Sequence, residues 1–406
     1  MLEKIERGPP DPMFELKANA DMDEDPRKVD LGVGIYRNEA GVYEELETVM
    51  RAKETLHRLN LGHEYGPTTG DADFLRLGAE LLFGKHSQAI ATDRICSVQT
   101  ISGTGANSLA ALLIGKEFPC SRVYISLPTW GNHIPIFQHV GLQVSTYSYL
   151  DSSGSKPGME ALLHTVRVAP PHSILVLQWC CHNPTGVDLS VQQWAQLADE
   201  LKDRTHIVVV DIAYQGLGEG LDEDAAGLRT LAEAGLELLV CQSFSKNFAL
   251  YKERCGALHV VCKSSAVAAD VKDKLRSLIR HTYSSSPAYG SRLVKVVLND
   301  EVRRVHRTSE LERMRSRLKK NRQNLLTHLG ASGIPGGWSD VIAKKGLFVC
   351  LPLTAGQCRR LTAEQHIHLP ENGRINIAGL SANNVQRTAK AIATEVNSAF
   401  ARPETP

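Results

Sequence analysis

Ile207-Val-Val-Val-Asp211 and, further on, Cys241-Gln-Ser-Phe-Ser-Lys-Asn247 decide how this chain folds. An apolar β-branched run without polar alternation is the pattern of a strand covered on both faces. Arg122 to Leu127, Ile174 to Trp179, His206 to Val210, Glu237 to Cys241 and Ala257 to Cys262 all have this character. Between them, Ser190 to Leu201 and Ala225 to Ala234 space their apolar residues as helices do. Such alternation predicts an α/β fold built on a mostly parallel sheet, with chemistry at the carboxyl ends of its strands. Asp211 and Lys246 both stand at such ends.

Beyond Ser286 the character changes. Tyr289 to Leu329 has almost no turn residue after Gly290 and predicts one or two long helices. Its basic segment, Arg303 to Arg322, is broken by glutamates and by Val302, Val305, Met314 and Leu318, so it reads as the solvated face of a connecting helix rather than a nucleic-acid surface. A small α+β unit follows, containing Gly346 to Leu353, Arg374 to Leu380 and a helix from Ala382 to Phe400. With 406 residues, two domains are expected. We place a discontinuous small domain at 1–42 and 314–406 and a large one at 43–313.

The 46 basic and 45 acidic residues balance, which argues for small-molecule partners and against nucleic acid or anionic membrane. Nine cysteines, with Cys180 and Cys181 adjacent and no Cys/His cluster at metal-ligand spacing, read as reduced thiols and no metal. Met1 to Pro10 has no apolar signal core, Arg402 to Pro406 no targeting tripeptide, and no apolar run approaches the roughly 18 residues of a membrane span. The expectation is a soluble cytoplasmic protein.

A lysine just beyond an apolar strand can be desolvated, which lowers its pKa and supplies the neutral amine a Schiff base needs. Taken alone, a lysine after a strand is usually just a surface lysine, and the context of Lys246 must decide. Ser243-Phe-Ser-Lys246 also fits the Ser-x-x-Lys of serine acyl-transferases, but the Ser-Asp-Asn and Lys-Thr-Gly boxes are absent. Ser102-Gly-Thr-Gly-Ala-Asn107 opens an Ala/Leu-rich helix, either as a phosphate cradle or as an ordinary helix start. It is not GxGxxG, and Gly84-Lys85 lacks the rest of a Walker A box. Asp211 could keep a pyridine nitrogen protonated, or cap a helix. Asn183-Pro-Thr-Gly186 is a turn.

Taken in order, these segments resemble the aspartate aminotransferase family, fold type I of the pyridoxal-5′-phosphate (PLP) enzymes. Leu31-Gly-Val-Gly-Ile-Tyr-Arg37, Ser102-Gly-Thr-Gly105, Pro128-Thr-Trp-Gly-Asn-His133, His182-Asn-Pro-Thr-Gly186, Asp211-Ile-Ala-Tyr-Gln-Gly216, Ser243-Phe-Ser-Lys-Asn-Phe248 and Gly373-Arg-Ile-Asn376 carry the resemblance over nearly the whole chain. It implies a large domain with a mostly parallel seven-stranded sheet flanked by helices, and a smaller α+β domain from both termini. Lys246 would form the Schiff base and move the substrate proton. Ser102, Gly103, Thr104, Ser243 and Arg254 would bind the phosphate, with Tyr65 reaching it from a second subunit. Trp130 would stack on the pyridine ring, Asp211, backed by His133, would pair with its nitrogen, and Asn183 and Tyr214 would bind its phenolic oxygen. Arg374 would hold the substrate α-carboxylate beside Gly34, with Trp130 and Asn183 also lining the substrate site. Arg280 of the other subunit would hold a distal carboxylate. The resemblance thus implies a homodimer running ping-pong exchange between aspartate and 2-oxoglutarate.

Gln178 stands where the family usually has histidine, and Ser284-Ser-Ser-Pro287 where acid-specific members read Ser-Asn-x-Pro. Aromatic-accepting relatives carry serine at the second of these positions. Glu64, Tyr43 and Phe348-Val-Cys350 also depart from the family pattern. Alternatives are an aromatic amino acid aminotransferase, a PLP lyase or decarboxylase on the same scaffold, and a non-catalytic paralogue. The last would be expected to lose Lys246, Asp211 or an arginine, and all are present.

Overall fold

The computed structural model describes residues 1–334 and 338–401; the terminal Arg402 to Pro406, read above for a targeting signal, lies outside them. The chain divides into two compact units, Glu45–Ser316 and the pair of segments Met1–Glu44 and Arg317–Pro406.

The larger unit is built on seven strands: β1 (Ile95–Ile101), β2 (Arg122–Leu127), β3 (Gln143–Ser148), β4 (Ile174–Gln178), β5 (Ile207–Ile212), β6 (Leu238–Ser243) and β7 (Cys255–Val261), in the order β1-β7-β6-β5-β4-β2-β3. β7 runs antiparallel to both its neighbours, and the remaining pairs are parallel. Because β7 is reversed, its amino end, preceded by Arg254, lies on the same sheet edge as the carboxyl ends of β1, β5 and β6. The apolar runs end there because burial on both faces leaves no room for polar side chains until the strands emerge. β6 and β7 are buried along their whole length.

Helix α1 (Ser102–Glu117) packs its Ala106, Ala110, Ala111 and Ile114 into the sheet core. The region after Ser286 forms two helices, α2 (Ala288–Leu298) and α3 (Glu301–Ala331). Buried Glu310 on α3 accepts the backbone N–H of Glu47 at 2.6 Å, capping the helix Glu47–Leu59 from a distant part of the chain.

In the smaller unit, Phe348–Cys350 pairs antiparallel with Arg374–Asn376, and Val29–Asp30 pairs parallel with Ile367–His368. The C-terminal helix spans Val385–Ala401, starting three residues later than the sequence pattern suggests. Among the described residues, no helix is long and apolar enough to cross a membrane.

Candidate active site

Three strand ends of the larger unit bring the predicted groups together. β1 turns directly into α1 at Ser102, whose φ of +60° puts a non-glycine residue in the left-handed region. That conformation costs about 1–2 kcal/mol, and it folds the serine hydroxyl back toward β6. Ser102 Oγ lies 3.2 Å from Ser243 Oγ and 2.8 Å from Ser245 Oγ. Arg254 Nη1 donates to Ser245 Oγ at 3.4 Å. Three hydroxyls, a guanidinium and the amino end of a 16-residue helix therefore face one point, an arrangement suited to a dianionic phosphate. Ser245 belongs to this set although the motif reading passed over it; only its distance to Ser102 identifies it.

Gly103 keeps this corner of the cradle open. A Cβ there would sit 3.1 Å from Ser243 Cβ and 4.0 Å from Asp211 Oδ1, filling the space between the hydroxyls and the carboxylate.

Asp211, on the last turnout of β5, is 9% exposed. Its Oδ2 accepts from His133 Nε2 at 3.1 Å, and His133 Nδ1 lies 2.9 Å from Thr129 Oγ1. Its Oδ1 is buried with no hydrogen-bond partner. Leaving a buried carboxylate oxygen unpaired is costly, so a donor is missing from this position, and the N–H of a protonated pyridine ring supplies one. The donor set and the cradle beside Gly103 thus fit PLP. Trp130 stands edge-on to His133, with ring centroids 5.1 Å apart.

Lys246 lies within the turn after β6, its Nζ 4.9 Å from the centre of the Tyr214 ring. Burial pushes its pKa down to about 8; the Asp211 carboxylate opposes that drop and Arg254 adds to it. A larger share of the amine is therefore neutral near physiological pH than for an ordinary lysine, and nucleophilic addition and proton transfer both use that neutral form. Asn183 is buried beside a cis peptide to Pro184.

Of the other predicted residues, Tyr65 and Arg280 belong to the larger unit and Gly34 and Arg374 to the smaller. Tyr65 is 91% exposed. Arg280 is exposed in the last turn of the helix Ser265–Thr282, donating to Ser284 Oγ at 2.6 Å. Within the smaller unit, Arg374 is buried, donates to Gly32 O at 2.7 Å, and lies 4.3 Å from the centre of the Phe348 ring. A Cβ on Gly34 would come within 2.7 Å of that same ring. Asn376 fixes the facing segment by donating to Val33 O at 2.7 Å and Ile35 O at 2.8 Å.

Cys180, Cys181 and Asp224 offer three buried potential metal ligands within 4.8 Å of one another, a grouping that sequence spacing does not reveal. The Asp224 carboxylate is already engaged by the backbone N–H groups of Gly216, Gly218 and Glu219 at 2.8 to 2.9 Å, so it serves as the cap of its loop.

Comparison with known proteins agrees with this geometry. The model of the family "aminotransferase class I and II" matches residues 26–392. The chain is 40% identical over 390 residues to the mitochondrial aspartate aminotransferase of Dictyostelium discoideum, covering 96% of this chain and 92% of that one. It is 39% identical to the aromatic-amino-acid aminotransferase of Escherichia coli K12, covering 97% and 99%. Among solved structures, an aromatic-amino-acid aminotransferase from Burkholderia pseudomallei, covalently bound to pyridoxal phosphate, superposes with a TM-score of 0.95 at 37% identity, covering 98% of this chain and 99% of that one. With the seven-stranded sheet, the hydroxyl cradle and the depressed lysine already in place, these matches complete the assignment: the chain belongs to the class I aspartate aminotransferase family and is a PLP-dependent aminotransferase.

Proposed function

We propose that this enzyme transfers the amino group of a dicarboxylic amino acid, aspartate, to 2-oxoglutarate, as a cytoplasmic homodimer with shared active sites. The observation that carries the reading is the pairing, in one cradle, of an unpartnered Asp211 oxygen with a lysine amine whose pKa burial lowers to about 8. PLP bound there supplies an electron sink for the charge left at the substrate Cα.

The protein's own residues do the rest. Ser102, Gly103, Thr104, Ser243 and Arg254 hold the phosphate, joined by Tyr65 of a second copy. Trp130 covers the ring face. Asp211 keeps the ring nitrogen protonated, while Asn183 and Tyr214 hold the phenolic oxygen. Lys246 anchors the cofactor and, as a neutral amine, takes the proton from Cα and returns it on the other side of the exchange. Arg374, preset by Gly32 O and the Phe348 ring, offers the planar fork that pairs bidentately with the α-carboxylate. Gly34 leaves room beside that fork. Arg280 takes the distal carboxylate; its exposure, like that of Tyr65, is what a residue serving a second copy requires.

The aromatic relatives and Ser285 favour one competing reading, preference for an aromatic amino acid. The absorption spectrum of the PLP-loaded protein decides between them. L-Aspartate should discharge the yellow band and 2-oxoglutarate should restore it; a protein that ignores aspartate but responds to phenylalanine is an aromatic aminotransferase. Arg280→Ala should lower kcat/KM for aspartate on the order of 10²-fold while changing that for phenylalanine by less than about threefold, because only the former leaves a charge unpaired. Equal losses for both substrates would remove Arg280 from the site.

A further inference from the structure

Within the smaller unit, the helix Pro12–Met22 begins on an Asp11 cap. The Asp11 carboxylate accepts from the backbone N–H of Met13 at 3.1 Å and of Phe14 at 3.2 Å, and Pro12 fills the first helical position. That start sets which face the helix lays on its neighbours. Met13, Leu16 and the buried Ala20 follow one another along it at helical spacing. Leu16 packs so closely on the segment after Asp30 that a Cβ on Gly32 would come within 2.5 Å of its Cδ2. One turn earlier, Met13 brings its thioether to Arg374: Nη2 lies 3.3 Å from Met13 Sδ while donating to Gly32 O at 2.7 Å. A thioether is a weak acceptor, so it rests against this N–H without holding it, and a carboxylate displaces it. A sulfoxide puts a strongly accepting oxygen on the same sulfur. Met13 is partly exposed, so a small oxidant reaches it. The guanidinium cannot turn away from the new oxygen without leaving Gly32 O and the Phe348 ring, whose centre is 4.3 Å from it.

We propose that Met13 is a modification site: a hydroperoxide oxidises its thioether, and the resulting sulfoxide blocks the α-carboxylate fork of Arg374. This rests on the reading that Arg374 holds the substrate α-carboxylate. In the reaction a sulfur lone pair attacks the outer oxygen of the hydroperoxide. The S–O bond forms, the O–O bond breaks, and the outer oxygen's proton passes to the departing oxygen, which leaves as water or an alcohol. Sulfur gives up two electrons and the peroxide takes them. The new oxygen then accepts the Arg374 N–H that an incoming carboxylate needs. A methionine sulfoxide reductase, drawing two electrons from a dithiol, returns the thioether and releases the oxygen as water, so the block is reversible.

The test treats the PLP-loaded enzyme with hydrogen peroxide, then with dithiothreitol to restore oxidised thiols, and weighs the peptide carrying Met13. Once that peptide has gained one oxygen, KM should be about tenfold higher for the amino acid (L-aspartate, or L-phenylalanine if that is the one turned over) and for 2-oxoglutarate alike. kcat should stay within about twofold, because a bound substrate has already displaced the sulfoxide. Methionine sulfoxide reductase should reverse the change. Met13→Leu should show no peroxide-dependent rise, although Met1, Met22 and Met50, at 96%, 70% and 44% exposed, still gain oxygen. Met13→Gln, whose carbonyl oxygen stands in for that of the sulfoxide, should raise KM without oxidant. An oxidised Met13 with unchanged KM would overturn the proposal. So would equal peroxide losses in Met13→Leu and the parent, or a Met13 still unoxidised when the three more exposed methionines have reacted. Arg374→Lys separates the two levels: unchanged KM for both substrates defeats the reading of Arg374 itself, whereas a raised KM there with no effect of oxidation defeats only the role of Met13.

Discussion

Lys246→Met should lower the transamination rate by at least about 10⁴-fold, because one amine both anchors the cofactor and moves the proton. The same substitution should stabilise the cofactor-free protein. Folding depresses this amine from 10.5, the ordinary lysine value, to about 8, burial being the main cause. Below about 8 the unfolded chain keeps its proton at no cost while the folded chain must hold a desolvated ammonium, so the penalty is fully present there. It fades as pH rises toward 10.5, where the unfolded lysine also becomes neutral. Its upper bound is about 3 kcal/mol, and methionine retains the apolar stem without the charge. Thermal unfolding of the cofactor-free proteins checks this: the variant should melt higher at neutral pH, and the gap should close in alkali. A variant that still transaminates would remove Lys246 from the chemistry; a gap that widens with pH would mean that burial does not penalise the ammonium.

The burial of Lys246 and Asp211 is written locally in the sequence, because the runs before them are apolar enough to require cover. Their roles are not: local pattern left a surface lysine and a helix-capping acid open, and only the family resemblance pointed to a Schiff base and a ring partner. The strands Arg122–Leu127, Ile174–Gln178, Ile207–Ile212, Leu238–Ser243 and Cys255–Val261 were recognisable within a residue or two because both faces are covered. Gln143–Ser148 was not, since it is an edge strand paired only with Arg122–Leu127 and alternates toward solvent. Ile95–Ile101 was not among the strands read; its Ser97 and Gln99 look misplaced until His259 Nδ1 at 2.7 Å and Pro287 O at 2.7 Å are found beside them. Ser245 was hidden for a related reason. Hydrogen bonds between groups far apart in sequence leave no periodicity to read.

Asp211→Asn should reduce kcat by about 10²- to 10³-fold while leaving the fold intact. The amide oxygen can still accept from His133 Nε2, so the wall behind the site keeps its geometry. What is lost is charge at Oδ1, the buried oxygen that has no partner within the chain. A carboxylate there favours a proton on the pyridine nitrogen through a direct charge-assisted contact, whereas a neutral amide does so weakly and could present its own N–H to that nitrogen. The chemical step depends on that proton; carboxylate recognition by the arginines does not. KM for the amino acid should therefore stay within a few-fold, and the cofactor's visible band should shift in position. Rapid-mixing measurement of the half-reaction with L-aspartate isolates the step. A variant with a wild-type rate would show that the unpartnered oxygen meets water rather than the ring, and a loss confined to KM would place Asp211 in substrate binding instead.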